Sequence, residues 1–418
     1  MNILEIETFG RGGLIHYAYN LSCALAERGH QVTLVTTAAY ELEDQLPSAH
    51  TKAQGEASVE AKVQIVKAIG RTSNRLGARG PALLRNLTRK AEAIFDACQV
   101  AARARALRPD VVHFHCTNPI SLLYILLLRL LRVPLVVTAH VVTPHERIRC
   151  QSTIYRWVHR LSPRIIAHSD FDRNRLLQEF SVDPERVSVI PHGEYGFFEQ
   201  QGETGQEDLD SLVGSTAARH TLGLEPHHQV ALFFGYIREY KGLDLLFEAW
   251  SAVLEARPEA RLVVAGDPVQ LAAARRSELE DWATRLGVHH HFDYIPFSQV
   301  ARYFQAADVL VMPYRHISQS GVLYLALSLG VPVLATRVGA LPEVLEDGES
   351  ALLVEPESPA ALAQALIRLL GDSELQERLA QGGLRVAEAH SWPAIAARTE
   401  GAFRELASSD RGVLEDQS

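Results

Sequence analysis

The chain of 418 residues contains few cysteines and no motif with the spacing of a metal site or a disulfide framework. Its four cysteines, Cys23, Cys98, Cys116 and Cys150, are widely separated, and no Cys-x-x-Cys pair or paired Cys/His spacing occurs. Neither a zinc site nor a disulfide scaffold is indicated, and a reducing cytosol fits this cysteine usage. We therefore expect no bound metal ion.

An export signal and a membrane span are also missing from the pattern. The opening residues, MNILEIETFG, are typical of a strand with acidic residues, whereas a signal peptide has a basic segment followed by an apolar core. The most apolar stretch, residues 119–140, contains Arg129 and Arg132. We predict an amphipathic helix to Leu131, a buried strand from Leu135, and a cytoplasmic protein.

Positive charge is scarce in the second half of the chain. Residues 1–200 hold 24 Lys and Arg against 19 Asp and Glu, a net charge of +5, whereas the remainder carries −14. This split argues against nucleic-acid binding along the whole chain and indicates an anionic partner for the first half only. The basic stretches 71–108 and 147–164, the second with Tyr155 and Trp157, suit helices at an anionic membrane, with a solvated helix face as the alternative.

Short β-branched runs alternate with helical patterns along most of the chain, which predicts parallel sheets covered by helices on both faces. The fold class is therefore α/β, with two Rossmann-like doubly wound domains facing a cleft. We place an N-terminal, acceptor-side domain at 1–198, a linker at 199–215, and a C-terminal domain that binds the donor at 216–390. A final helix at 391–418 is expected to pack back on the N-terminal domain.

Two loops that follow predicted strands carry candidate phosphate-binding groups. Gly12 and Gly13 come after the first strand, where their N–H groups can approach a phosphate; a tight strand-to-helix turn is the alternative. Arg238 and Lys241 follow a core strand that ends near Gly235. Two cations at such an edge suit a diphosphate, with a solvated helix start as the alternative.

The helix that begins near Gly321 carries no acidic residue. Ser318 or Ser320 can cap it, and its first N–H groups form an anion site that needs no side-chain charge. An acid in the first turn would repel a phosphate. Because this helix is apolar all round, we expect it to be buried.

The sequence resembles a known family over nearly its whole length. The motifs are GRGG at 10–13, TAH at 138–140, VIPHG at 189–193, GYIREYKG at 235–242, the run from 320 to 343, and HSW at 390–392. Together they resemble GT-B glycosyltransferases of family 4, and within that family the bacterial enzymes that build cell-surface polysaccharides. The resemblance implies retaining, metal-independent transfer of a hexose. The donor would be a nucleotide diphosphate sugar, a substrate rather than a cofactor, held in a cleft between the domains.

The resemblance also implies roles for individual residues. His140 would contact the donor sugar, with a plain core histidine as the alternative, and Arg238 and Lys241 would stabilise the leaving diphosphate. The donor-binding set would be Gly12, Gly13, Gly235, Gln319, Ser320, Gly321, Val322 and Glu343. On the acceptor side stand His145, Glu146 and His192, the first two with an exposed loop pair as the alternative.

The sequence departs from the family pattern in two places. Family members usually carry two Glu separated by seven residues on the helix after the phosphate loop, the second holding the ribose. The matching positions are Ile317 and Leu325 in one register, or Ser318 and Ala326 in the other. We therefore expect Gln319 and backbone amides to make the polar contacts. The second departure is Tyr236, which stands where the family usually has Arg.

We predict a lipid-linked or glycan acceptor, in particular a polyprenyl diphosphate, reached by peripheral contact with the inner face of the cell membrane. Three other interpretations remain open. They are transfer to a soluble small-molecule acceptor, a sugar-nucleotide epimerase on the same scaffold, and a catalytically inactive partner subunit. An epimerase needs acids for proton abstraction, so the acid-free helix counts against it.

Overall fold

The computed structural model describes residues 1–43, 63–70, 82–116, 118–143, 151–195, 215–269 and 271–415. The chain divides into two compact units. Unit 1 comprises Met1–Gly193 and Trp392–Ser418, and unit 2 comprises Glu194–Ser391. Most of the linker predicted at 199–215 lies outside the described residues.

Unit 1 contains a sheet of seven parallel strands in the order β3-β2-β1-β4-β5-β6-β7. Its strands are rich in Val, Ile and Leu because helices cover both faces of the sheet. The strands are β1 Asn2–Ile6, β2 Gln31–Thr37, β3 Val63–Ile69, β4 Val111–Cys116, β5 Leu135–Ala139, β6 Arg164–Ala167 and β7 Val187–Val189. The helices between them are α1 Gly13–Glu27, α2 Ala82–Leu107, α3 Ser121–Leu130, α4 Gln151–Leu161 and α5 Asp170–Phe180.

Unit 2 contains a sheet of six parallel strands in the order β10-β9-β8-β11-β12-β13. The strands are β8 Gln229–Phe234, β9 Ala260–Ala265, β10 His289–His291, β11 Val309–Met312, β12 Val333–Thr336 and β13 Leu352–Val354. Its helices are α6 Thr216–Thr221, α7 Leu243–Ala256, α8 Ala273–Arg285, α9 Phe297–Ala306, α10 Gly321–Ser328, α11 Leu341–Val344, α12 Pro359–Leu370 and α13 Ser373–Ala389.

The last helix, α14 Trp392–Glu415, belongs to unit 1 although it follows unit 2 in the chain. It packs along α1, and its Trp392, Ile395, Ala396 and Phe403 are buried in the same core cluster as Ile3 and Tyr17. Glu400 of α14 also pairs with Arg28, just beyond α1, at 2.7 Å. Unit 1 is therefore assembled from two separate segments of the chain.

The central strands agree with the sequence pattern, but two edge strands are missed by it. These are β3, whose burial is partial, and β13, which has only three residues. Edge strands have one unpaired side and give a weak hydrophobic signal. Helix α5 is capped by Ser169, whose hydroxyl accepts a hydrogen bond from Asp172 N.

Candidate functional site

In open parallel α/β sheets, ligands bind beyond the carboxyl ends of the strands. In unit 2 the loop after β8 is shaped by two glycines with positive φ, Gly235 at 93° and Gly242 at 67°. A Cβ at Gly235 would lie 3.1 Å from both Lys241 Nζ and Val322 Cγ2, and one at Gly242 would lie 2.1 Å from Pro313 O. The chain therefore needs glycine at both positions to bring Lys241 against the start of α10.

Lys241 is a buried cation, with only 6% of its surface exposed. Its ammonium lies 5.4 Å from the centre of the Tyr314 ring. Burial, and secondly the neighbouring Arg238, lower the pKa of Lys241 from 10.5 to about 7. No carboxylate in the described part of the chain lies within ion-pairing distance of this ammonium. A buried, uncompensated cation is the electrostatic signature of an anion site.

Arg238 precedes the short 3₁₀ turn Glu239–Lys241 and is partly exposed. Its guanidinium lies 6.0 Å from the centre of the Tyr236 ring, in cation–π range. The two cations predicted from the sequence therefore follow the same strand. Together they can bind two anionic groups of one ligand, with Arg238 at the surface and Lys241 below it.

The loop from Ile317 to Ser320 leads into α10, whose first turn carries no acid. Ser318 Oγ and Gln319 Oε1 are buried, and neither has a hydrogen-bond partner among the described residues. Ser320 occupies the N-cap position, but its side chain makes no capping bond, because it is hydrogen-bonded to the Tyr314 hydroxyl. The predicted serine cap is therefore wrong. Buried polar atoms without partners are rare in folded proteins, which makes these two atoms candidates for ligand contacts.

Glu343 lies on α11, in the loop region after β12, and its side chain is exposed. The preceding turn is held close to the Ser318 loop, since a Cβ at Gly339 would lie 1.6 Å from Ile317 O. Gly321 is equally constrained, because a Cβ there would lie 2.9 Å from Tyr195 Oη. Gly235, Lys241, Val322 and the Ser318–Gly321 loop are thus brought together, with Glu343 on the neighbouring helix.

In unit 1 the glycine loop after β1 is held by acidic side chains. Glu7 is buried and accepts hydrogen bonds from Phe9 N, Gly10 N and Thr36 Oγ1. Burial raises the pKa of Glu7, although these hydrogen bonds oppose the rise. The N–H of Gly12 donates to Glu41 Oε2 at 2.7 Å. The N–H of Gly12, which the sequence analysis assigns to a phosphate, is therefore hydrogen-bonded to a carboxylate of the protein itself. Gly13 follows as the first residue of α1.

Histidines stand at the carboxyl ends of four neighbouring strands of unit 1. His115 lies in β4, His140 and His168 come directly after β5 and β6, and His192 follows β7. His140 is partly exposed, and both of its ring nitrogens are hydrogen-bonded, to His115 and to His168, at 3.1 Å each. A sugar contact through a nitrogen of His140 would therefore require one of these bonds to open.

The ring of Tyr17 packs edge-on against these four histidines and against Trp392, with ring centres 4.8 to 5.6 Å apart. His192 is buried, and its Nδ1 lies 2.7 Å from Gly193 O. The other two residues predicted on the acceptor side, His145 and Glu146, lie outside the described residues.

The sequence interpretation missed most of this cluster, including Glu5, His113, His115, His168 and Tyr17. A usable signal was present, because HFHC, TAH, IAHS and IPHG each put a histidine at or just after the end of a strand. The parallel arrangement then brings those ends to one edge of the sheet.

Among the described residues, two groups of side chains have ligand atoms close enough to hold a metal ion: Glu5 with His113 and His115, and His227 with His228 and Glu259. In the first group one Glu5 oxygen lies 2.8 Å from a nitrogen of each histidine. These are direct hydrogen-bond lengths, so the carboxylate and the two imidazoles are bonded to one another in this structure. The second group is largely exposed, and its His227–Glu259 contact of 3.2 Å is that of an ordinary surface pair.

Comparison with known proteins agrees with this architecture. Residues 11–193 match the family model "Glycosyltransferase Family 4", and residues 228–372 match "Glycosyl transferases group 1". The WaaG glycosyltransferase, described as involved in lipopolysaccharide biosynthesis, aligns over 95% of this chain and 98% of its own, with a TM-score of 0.63 and 18% identity. Anabaena HepE in complex with UDP-glucose aligns over 98% and 100%, with a TM-score of 0.69 and 17% identity.

Among curated proteins, the D-inositol 3-phosphate glycosyltransferase of Streptomyces bingchenggensis is 33% identical over 58% of this chain and 52% of its own length. The enzyme of the same name from Corynebacterium diphtheriae is 26% identical over 97% and 92%. The chain spans about half the length of the first curated relatives that it matches. The predicted GT-B fold of two Rossmann-like units is confirmed. Both units are glycosyltransferase domains.

Proposed function

We propose that this protein is a retaining, metal-independent hexosyltransferase that uses a nucleotide diphosphate sugar and a soluble small-molecule acceptor. The observation that carries the proposal is the buried ammonium of Lys241, which has no carboxylate partner in the described structure. A diphosphate supplies the missing negative charge. Binding of that anion favours the charged form of Lys241 and so raises its pKa.

Three groups of unit 2 would hold the donor phosphates: Lys241, Arg238 and the first N–H groups of α10. The unpartnered atoms Ser318 Oγ and Gln319 Oε1 would take polar contacts, with Gln319 in place of the family's ribose-binding Glu. The complex of Anabaena HepE with UDP-glucose, at 17% identity, supports a nucleotide sugar as the donor class.

Transfer breaks the bond between the sugar and the diphosphate, so negative charge develops on the leaving group. Two fixed cations and a helix N-terminus stabilise such charge without a metal ion, because they are oriented before the reaction begins. Loss of one such group typically costs on the order of 10²-fold in turnover. Arg238 and Lys241 are therefore the proposed catalytic groups of unit 2, and the exposed edge of His140 is the candidate contact in unit 1.

The relatives favour a small acceptor over the lipid-linked acceptor that the sequence first suggests. The alignments with the relatives named D-inositol 3-phosphate glycosyltransferase cover 50% to 92% of those relatives' own length. A small acceptor of that kind is therefore part of the proposal. No helix within the described part of the chain is long and apolar enough to cross a bilayer.

A lipid-linked acceptor remains the second candidate, favoured by one surface. On α4, Arg156, Trp157 and Arg160 are all exposed, and the neighbouring end of α3 exposes Arg129 and Leu130. Tyr155, predicted as an interfacial aromatic, is buried at 3% exposure and is not available to a membrane. Vesicle sedimentation tests this candidate. Salt-sensitive binding to anionic but not neutral vesicles is expected, and equal recovery in both supernatants would rule it out.

The function itself is tested by incubating the protein with a panel of nucleotide diphosphate sugars, with and without myo-inositol phosphates, and measuring release of nucleotide diphosphate. Release that depends on a soluble acceptor is expected. Lys241→Met should abolish it, whereas Lys90→Met, at an exposed site on α2, should leave it unchanged. Failure of every donor to give release above the Lys241→Met background would refute the proposal and favour an inactive partner subunit.

A further inference from the structure

A row of hydrogen bonds in unit 1 runs from a buried carboxylate through three imidazoles to a backbone carbonyl. Glu5 Oε2 lies 2.8 Å from His115 Nε2, and His115 Nδ1 lies 3.1 Å from His140 Nε2. His140 Nδ1 then lies 3.1 Å from His168 Nε2, and His168 Nδ1 lies 3.0 Å from Ile190 O. We call these five residues the imidazole chain. All four contacts are within hydrogen-bond range.

The ends of the imidazole chain fix its proton count. A carboxylate and a carbonyl can only accept, so each of the four contacts must be supplied with one N–H by a ring. Three neutral imidazoles carry three N–H groups in total. With three protons, one contact would bring two acceptor lone pairs together at about 3 Å, which is repulsive. The observed geometry is satisfied only when one additional proton is bound.

A counter-charge for that proton is already in place. Glu5 is fully buried, and its carboxylate also accepts a hydrogen bond from His113 Nδ1 at 2.8 Å. The second nitrogen of His113 lies 2.6 Å from the Thr138 hydroxyl, which can donate to it, so His113 needs no extra proton. Burial opposes ionisation of Glu5, but the two histidines lower its pKa to about 2. A buried carboxylate of this kind is stable when a cation is hydrogen-bonded to it.

Only one ring of the imidazole chain reaches the surface. His115 is fully buried, His168 is 4% exposed, and His140 is partly exposed. The side chains that contact the three rings in the described structure are Glu5 on β1, His113 on β4, Tyr17 on α1 and His192 after β7. Burial lowers the pKa of His115, His140 and His168, whereas the carboxylate of Glu5 acts in the opposite direction on His115. The additional proton can therefore be exchanged with a ligand or with solvent only through His140.

We propose that the imidazole chain is a one-proton switch that controls whether a ring nitrogen of His140 is available to hydrogen-bond a substrate. With the additional proton bound, both nitrogens of His140 are tied to His115 and His168. When the proton leaves, one contact opens, and His140 can turn a nitrogen toward a substrate hydroxyl. Glu5 and His168 are then positioning residues that act through His115 and His140. The link to a substrate hydroxyl rests on the proposed glycosyl transfer, whereas the proton count does not.

The proton count is tested on the full chain without substrate. Nitrogen-15 spectra of protein labelled at its imidazoles, with rings assigned through His115→Gln and His168→Gln, report which nitrogens carry hydrogen. At about pH 6 we expect four N–H groups on the three rings, falling to three as the pH rises. Three neutral rings with three N–H groups at pH 6 would overturn the proposal, and this measurement on the unsubstituted protein holds even if a variant fails to fold.

The link to turnover is tested by the pH dependence of kcat/KM in the wild type and in Glu5→Gln. Activity should rise with pH as the proton leaves. Removing the counter-charge should move the midpoint of that rise to lower pH by at least about one unit, a tenfold change in proton affinity. His227→Gln, at an exposed ring paired with Glu259, is the matched control and should keep the wild-type midpoint.

A uniform loss of activity in Glu5→Gln with an unchanged midpoint would mean that Glu5 has only a structural role, and would refute the switch. If no donor gave product with the wild type, the proposed function would fail while the nitrogen-15 result still decided the proton count.

Discussion

Replacing Lys241 by Met should make the protein more stable and at the same time unable to bind a nucleotide diphosphate. Lys241 is 6% exposed, and a Met side chain fills similar space without a charge. The fall of the Lys241 pKa from 10.5 to about 7 corresponds to about 5 kcal/mol, at 1.36 kcal/mol for each tenfold change in proton affinity. This energy opposes folding wherever lysine is charged in the unfolded chain.

The direction in which stability changes with pH follows from the number of protons bound by the folded and the unfolded chain. Between pH 7 and 10.5 the unfolded chain holds the proton of Lys241 and the folded chain releases it, so the stability of the wild type rises with pH across this window. Below pH 7 both states are protonated and the full cost is present. At pH 7 Lys241→Met should therefore gain about 2 to 5 kcal/mol, and the melting temperature of unit 2 should rise by about 5 to 15 °C.

The assay is thermal unfolding at pH 7.0 and 8.5, with and without millimolar UDP. UDP should raise the melting temperature of the wild type and leave that of Lys241→Met unchanged. Affinity of the wild type for UDP should fall by up to about tenfold from pH 7.0 to 8.5, because the ammonium loses its proton. A less stable variant, or a variant stabilised by UDP as strongly as the wild type, would refute the reasoning. Lys90→Met is the control for an exposed lysine.

Three further predictions concern the metal requirement and the packing of each unit. Release of nucleotide diphosphate should persist in excess EDTA, and activity lost to the chelator and restored by Mg²⁺ would contradict a metal-free mechanism. Gly242→Ala should destabilise unit 2 by more than about 2 kcal/mol in urea unfolding, since its φ is 67° and the new Cβ would lie 2.1 Å from Pro313 O; Gly287→Ala, with φ 64° and open space, should cost only about 1 kcal/mol. Trp392→Ala should lower the stability of unit 1 by about 3 kcal/mol and leave unit 2 unchanged, as judged by hydrogen exchange.

Sequence patterns were sufficient for the parts of the fold that depend on local composition. The buried run of β5 and the acid-free start of α10 were predicted because apolar periodicity and missing charges are visible in a short window. Lys241 and the start of α10 were each predicted to bind phosphate, and they lie close together because both follow strands and the carboxyl ends of parallel strands share an edge. The roles assigned to these residues remain predictions.

Side-chain partners were not predictable, because most of them depend on positions far apart in the chain. Glu41 binds Gly12 N, 29 residues away, and no local signal distinguishes it from a solvated acid. Glu5 pairs with His113 because β1 and β4 are adjacent, with these two residues in register, and strand order cannot be obtained from composition. The Ser320 hydroxyl bonds to Tyr314, only six residues away, rather than capping α10, and here the path of the intervening loop decides the partner.

The division of unit 1 between two segments has a consequence for the order in which the chain folds. During synthesis, residues 194–391 emerge before Trp392, so all of unit 2 is available to fold while the core of unit 1 still lacks α14. Until then the rings of Tyr17 and Trp392, whose centres lie 5.3 Å apart in the finished core, stay apart. Joining α14 to α1 closes a loop of more than 360 residues, and contacts of such high sequence separation form slowly. In refolding, unit 2 should therefore reach its native fluorescence first, and the slower phase should report the arrival of Trp392 beside Tyr17.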